Sequence, residues 1–186
     1  DNARDALEKQ NKEKENFKES TKKAELTEES LKVALKQEIG QGLVTVDKKE
    51  DKVIITVGAG GAFPSGTANL TPAAKKIMSN IAEVNKKGNS TIKVTGHTDN
   101  VPIKTDAILD NWDLSVKRAT AVVRILQNDF SVAPERMTAA GRSSYIPLLD
   151  NDSPSNRAKN RRTRIVVIPK LDQFYDLIEQ GMDAAK

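Results

Sequence analysis

The 186-residue sequence contains no cysteine. Disulfide scaffolds, thiolate zinc sites and cysteine nucleophiles are therefore excluded. A single histidine excludes a histidine-rich metal centre, and no metal or organic cofactor is expected. Aromatic residues make up only 4%, so a surface of many base-stacking rings is excluded. Charge of one sign is also scarce: 30 Lys and Arg against 26 Asp and Glu leave a net +4. That falls well short of the basic stripe of a duplex binder, and no nucleic-acid partner is expected. No apolar run approaches the roughly 18 residues that span a membrane. There is no signal-peptide pattern and the first residue is Asp1, so the sequence reads as a mature protein or a soluble fragment of a longer one.

What is present divides the chain into three. Residues 1–40 read as a polar linker and N-terminal helix. Up to about residue 26, Lys and Glu interleave and the apolar residues Leu7, Phe17 and Leu26 are too sparse for a continuous stripe. A solvated linker is the simplest reading, because i,i+4 ion pairs add only a few tenths of a kcal/mol each. A packed helix is expected from Thr27 as N-cap, with Leu31, Ala34, Leu35 and Ile39 on one face and Gly40 as its left-handed end.

Residues 41–170 read as one α/β sandwich. The β-branched runs Leu43–Val46 and Val53–Val57 predict a hairpin. Gly58–Gly61 predicts a bend; it lacks both the dinucleotide spacing and a Gly-Lys-Ser/Thr. Thr71 and Pro72 open a helix that Gly88 closes, Ile92 and Val94 mark a strand ending at Gly96, and Leu114 to Leu126 trace another helix. Met137–Ala140 and Thr163–Ile168 are further strands, with a short helix expected between residues 151 and 160. Strands alternating with helices imply a mixed sheet with helices packed on it. Residues 171–186 read as an amphipathic C-terminal helix after Pro169.

Chemistry concentrates in Thr95-Gly96-His97-Thr98-Asp99-Asn100, where a strand enters a loop. Two more polar pieces are Asn111-Trp112-Asp113-Leu114-Ser115 with Arg118, and Asn160-Arg161-Arg162-Thr163-Arg164. Asn111 or Asp113 can cap the second helix, and Trp112 can anchor the long loop through its ring and indole N–H. His97 reads as a hydrogen-bonded structural residue, and the arginines of the third piece as either a solvated edge or a ligand contact.

In order along the chain, Phe63-Pro64-Ser65-Gly66, Gly96-His97-Thr98-Asp99, Leu114-Ser115, Arg118-Ala119, Gly141, Pro147, Arg157 and Asn160-Arg161-Arg162 resemble the OmpA-like peptidoglycan-binding domain. Asn100-Val101-Pro102-Ile103 and Asn111–Ser115 make it similar to the version in MotB/PomB-type flagellar stator proteins, the sodium-driven form in particular. One departure is Ser143, where the family pattern often has Gly. The resemblance implies an OmpA-like two-layer sandwich without enzymatic activity. Its ligand would be the peptide stem of peptidoglycan and its diaminopimelate residue, with Asp99 accepting from the ammonium and Arg118 gripping the carboxylate. A guanidinium suits that task because it donates two parallel bonds, which a lysine cannot do. Thr98 and Asn111 would add neutral hydrogen bonds, and Leu114 and Arg161 would contribute to the walls. It further implies a periplasmic domain of a single-pass inner-membrane protein, a MotA/PomA-type partner and a homodimer.

Three alternatives stand beside this reading. Asp99 and Arg118 can simply pair with each other. His97, Asp99 and Ser115 can be read as a hydrolase triad, although Ser115 lacks a Gly-x-Ser-x-Gly setting. The same wall anchor can also serve in the cell envelope outside a motor.

Overall fold

The computed structural model describes residues 2–86 and 90–169. The expected helix end at Gly88 and the expected C-terminal helix at residues 171–186 lie outside them. Five strands form one mixed sheet: β1 (Val44–Lys49), β2 (Lys52–Gly58), β3 (Thr91–His97), β4 (Met137–Gly141) and β5 (Arg162–Ile168), in the order β1-β2-β5-β3-β4. All neighbours are antiparallel except β3 and β4, which are parallel. A parallel pair needs a long crossover. Here it is α5 (Asn111–Asn128), which packs against both strands it joins.

Side chains alternate across each strand, so one face collects Val44, Val46, Val53, Ile55, Val57, Ile92, Val94, Ile165 and Val167, all buried. Against this face lie α1 (Asn2–Ala34), α2 (Lys36–Gly40), α3 (Ala59–Ala62), α4 (Pro72–Lys86) and α5. The last helix, α6 (Pro154–Asn160), leads into β5. Helix α4 is capped as its sequence predicts: Thr71 Oγ1 accepts from the Ala74 N–H at 3.1 Å, with Pro72 at the first position. Its stripe of Ala74, Ile77, Met78 and Ile81 meets α5 and α1 over the sheet.

Several local features differ from expectation. The N-terminal helix does not begin at Thr27. It runs unbroken from Asn2 to Ala34, and the Thr27 hydroxyl donates back to the Lys23 carbonyl at 2.9 Å. Ser20, Ala24, Leu31 and Leu35 are buried against the domain, so packing supports the helix well before Leu26. The left-handed residue that ends this region is Gly42 (φ 70°) rather than Gly40. Gly58–Gly61 is no open bend but the end of β2 and most of α3. The N-cap of α5 is Asp110, accepting from the Asp113 N–H at 2.8 Å, and the Asp113 carboxylate reaches back to the Leu109 N–H at 2.9 Å. Neither expected cap, Asn111 nor Asp113, holds the position: both lie within the helix, and the extended backbone at Asp110 places the cap one residue earlier.

Strand β5 is not an edge. It sits at the centre of the sheet, so Arg162 is buried and donates to the Asn160 and Ile146 carbonyls. Among the described residues no helix is long and apolar enough to cross a membrane.

Candidate functional site

Two glycines bring α5 onto the sheet. A Cβ on Gly96 would lie 2.1 Å from the Ser115 carbonyl oxygen, and one on Gly141 would lie 2.5 Å from Ser115 Oγ. Only bare backbone on β3 and β4 allows the helix to sit so close. Ser115 is fully buried in this contact, donating to the Trp112 carbonyl and accepting from the Ser143 N–H. A hydroxyl so enclosed cannot attack a substrate, and the His97–Asp99–Ser115 triad does not assemble. Ser143, at the family's glycine position, takes a left-handed backbone (φ 50°). That is the conformation in which glycine is most at ease.

The close docking points one side of α5 into a cavity of about 500 Å³ at the end of β3. Thr98, Asp99, Asn111, Leu114, Arg118 and Arg161 all line it. They come from the β3–α5 loop, the first two turns of α5 and the α6–β5 junction. Phe63, Ser65 and Gly66 close one side, and Arg157 and Pro154 another.

Asp99 is 7% exposed. Its Oδ1 accepts from the Val101 N–H at 3.0 Å, and its Oδ2 from Arg161 Nη1 at 2.6 Å. The carboxylate thus pairs with Arg161 and not with Arg118, and the Arg161 side chain lines the cavity while staying partly open to solvent. Arg118 is 4% exposed, its Nε donating to the Thr67 carbonyl at 2.9 Å and its guanidinium 5.0 Å from the Phe63 ring centre. Burial, and next the nearby Arg161, push its pKa down to about 10, while Asp99 opposes the shift. It remains cationic at neutral pH, but without a carboxylate of its own.

The other residues are placed as follows. Thr98 is buried and donates its hydroxyl to the Asp99 carbonyl at 2.9 Å. Asn111 Nδ2 donates to the Val101 carbonyl at 2.9 Å and to the Asp99 carbonyl at 3.4 Å, stapling the loop that carries Asp99. Leu114 is an apolar wall. Trp112 does not anchor the loop in the core: it is 48% exposed and stacks on Tyr145, ring centres 5.5 Å apart. Asn111 takes that anchoring role, with Lys117 donating to the Ala107 carbonyl.

His97 lies outside the cavity, and neither ring nitrogen has a hydrogen-bond partner among the described residues. Burial, then Arg162, Arg164 and Arg142, push its pKa down to about 4, so it is neutral at pH 7.

Phe63 and Arg157 carry no assigned role in the sequence reading, although both stand in stretches that bear the resemblance. Arg157 on α6 and Arg161 just past its end both reach the cavity, and the Asn160-Arg161-Arg162 motif beside Arg157 is the available signal. Asn160 holds that end of the helix. It is fully buried, accepts from the Leu148 and Leu149 N–H groups, and donates to the Leu149 carbonyl and to Asn151 Oδ1. No cluster of three or more His, Asp or Glu that could hold a metal is found among the described residues.

The domain is thus a two-layer α/β module with one buried carboxylate and three guanidiniums around a cavity, a lining whose chemistry suits small charged groups. The chain belongs to the OmpA family, whose pattern it matches over residues 62–161, more than half its length. It is 34% identical to Motility protein B of Bacillus subtilis over 122 residues, which are 63% of this chain and 46% of that protein. Among solved structures it is similar to the cell wall anchor of the type VI secretion system of Pseudomonas aeruginosa. That match has a TM-score of 0.70 and 34% identity, covering 75% of this chain and 97% of that one. It is also similar to a MotB-like protein of Desulfovibrio vulgaris, with a TM-score of 0.75 and 25% identity, covering 83% and 96%. The chain spans about half the length of the curated relatives it matches first.

Proposed function

We propose that this domain is a noncatalytic anchor that grips the peptide stem of peptidoglycan at its diaminopimelate residue. The observation that carries the reading is one cavity holding the Asp99 carboxylate and the buried Arg118 guanidinium, which has no ion-pair partner among the described residues. The free end of diaminopimelate presents an ammonium and a carboxylate a few bonds apart. Asp99 keeps lone pairs for the ammonium beside its bonds to Val101 and Arg161, since an ionised carboxylate offers about four acceptor positions. The guanidinium of Arg118 grips the carboxylate with its unused N–H groups. Thr98 and Leu114 line the cavity beside them, and Asn111 keeps Asp99 in place. Similarity to a cell wall anchor supports the same reading.

In the full-length protein this domain would stand in the periplasm, tied by residues 1–40 to one membrane-spanning helix. It would hold a flagellar stator with a MotA/PomA-type partner in place as a homodimer. Similarity to Motility protein B and the resemblance at Asn100–Ile103 and Asn111–Ser115 support the motor, and the sodium-driven form is the narrower reading of that resemblance. The similarity to the secretion-system anchor favours a second reading, an envelope anchor outside a motor. Deleting the gene separates the two: the first predicts lost swimming, the second unaffected swimming. The binding reading is tested by sedimenting the chain with insoluble peptidoglycan in the presence of free meso-diaminopimelate. Binding that diaminopimelate displaces is expected; binding that it leaves untouched refutes the diaminopimelate clamp.

A further inference from the structure

The cavity's charge does not balance. Three guanidiniums, those of Arg118, Arg157 and Arg161, face a single carboxylate, Asp99. Arg161 is already committed to Asp99 at 2.6 Å. Two cations are left without a carboxylate, and they stand on different elements, Arg118 on α5 and Arg157 on α6. Arg157 Nη1 donates to the Asn151 carbonyl at 3.1 Å, which fixes the direction of its plane. The rest of its guanidinium has no other polar partner among the described residues. A ligand with one carboxylate would satisfy Arg118 and leave the Arg157 guanidinium on the cavity wall with only its bond to the Asn151 carbonyl.

We propose that the site recognises a dicarboxylate, with Arg118 taking one carboxylate and Arg157 a second. The proposal rests on the peptide-stem reading above and narrows it. In a peptide stem the first carboxylate is that of the free diaminopimelate end. The second has two chemical sources: the α-carboxylate that a γ-linked glutamate leaves free, or the main-chain carboxylate of diaminopimelate where the stem ends at that residue. Either makes Arg157 a specificity residue. It distinguishes stems with free carboxylates from those in which the same group is an amide or a peptide bond.

The test is calorimetric titration of the 186-residue chain with three N-acetylated tripeptides of alanine, γ-linked glutamate and diaminopimelate. One is unmodified, one carries the glutamate α-carboxamide, and one the diaminopimelate main-chain carboxamide. The native chain is expected to bind one of the two amides roughly tenfold more weakly, the loss of a charge-assisted pair. That amide identifies the source. Arg157→Gln should bind the unmodified peptide at the same reduced level and ignore that amide, while Arg157→Lys retains part of the preference. Two results overturn the proposal: both amides bind the native chain as well as the parent peptide does, or Arg157→Gln weakens all three alike. If the native chain binds none of the three, the peptide-stem reading itself fails and the proposal with it.

Discussion

Gly96→Ala is the sharpest probe of how the site is built. An added Cβ would lie 2.1 Å from the Ser115 carbonyl oxygen and 2.9 Å from its carbon, where real Cβ contacts stay beyond 3.0 Å. The obstacle is helix backbone, so no rotamer change relieves it. Helix α5 must retreat from β3 by nearly an ångström. A gap of that size forfeits about a quarter to a half of each dispersion contact across it. The contacts at risk are those of Ser115, Ala119, Val122 and Leu126, all buried under this helix. We expect a loss of about 3 kcal/mol, the upper end of the overpacking range, which lowers the folded-to-unfolded ratio roughly a hundredfold. Urea unfolding monitored by circular dichroism reads it directly. Gly40→Ala is the control, since a Cβ there meets nothing within 4 Å and the backbone is not left-handed. If Gly96→Ala unfolds within about 1 kcal/mol of that control, the close-approach argument is wrong.

Three further outcomes follow from the same structure. His97 is held neutral in the fold, with its pKa pushed down to about 4, whereas the unfolded chain protonates near pH 6.5. The unfolded state therefore binds more protons in that window, and stability should fall as pH drops from about 6.5 towards 4, by about 3 kcal/mol. His97→Asn should flatten the slope between pH 7 and 5, and an equal slope in the variant would refute the assignment. Leu31→Ala, at a fully buried position, should cost about 3 kcal/mol in the same urea assay, whereas Leu7→Ala on the exposed stretch of the same helix should cost nothing measurable. Equal effects would mean that α1 does not pack as described. Finally, Glu25 and Lys48 pair at 2.7 Å between α1 and β1. If the proposed stator role holds, we expect the N-terminal segment to rearrange so that the domain reaches the wall; a bis-maleimide bridge between cysteines at these two positions should then block motility, and normal swimming would refute the rearrangement.

Much of the sandwich could be read directly from the chain, because β-branched alternation and cap residues are local signals. The five strands, the hairpin and the Thr71–Pro72 helix start all rest on neighbouring residues. What escaped was set by distant ones. Polar residues 2–26 give no apolar stripe, yet they continue a helix whose later turns pack on β1 and α4. The chain order does not reveal that its last described strand inserts between β2 and β3, and that insertion is what buries Arg162. The cavity residues Thr98, Asp99, Asn111, Leu114, Arg118 and Arg161 stand in recognisable motifs, and the fold brings all six together. Their pairing was not legible: Asp99 joins Arg161, 62 residues away, and so leaves Arg118 without an ion pair. Asn111 spends its amide donors on loop carbonyls instead of the cavity, and Trp112 turns outward onto Tyr145. Each depends on a loop conformation that spacing alone does not encode.

The most direct test is sedimentation of the chain with purified insoluble peptidoglycan, comparing the native sequence with Asp99→Ala and Arg118→Ala after each variant is shown to be folded. The native chain should pellet with the wall, and both variants should stay in the supernatant. Folded variants that pellet as well as the native chain would contradict the ionic clamp on which the account rests.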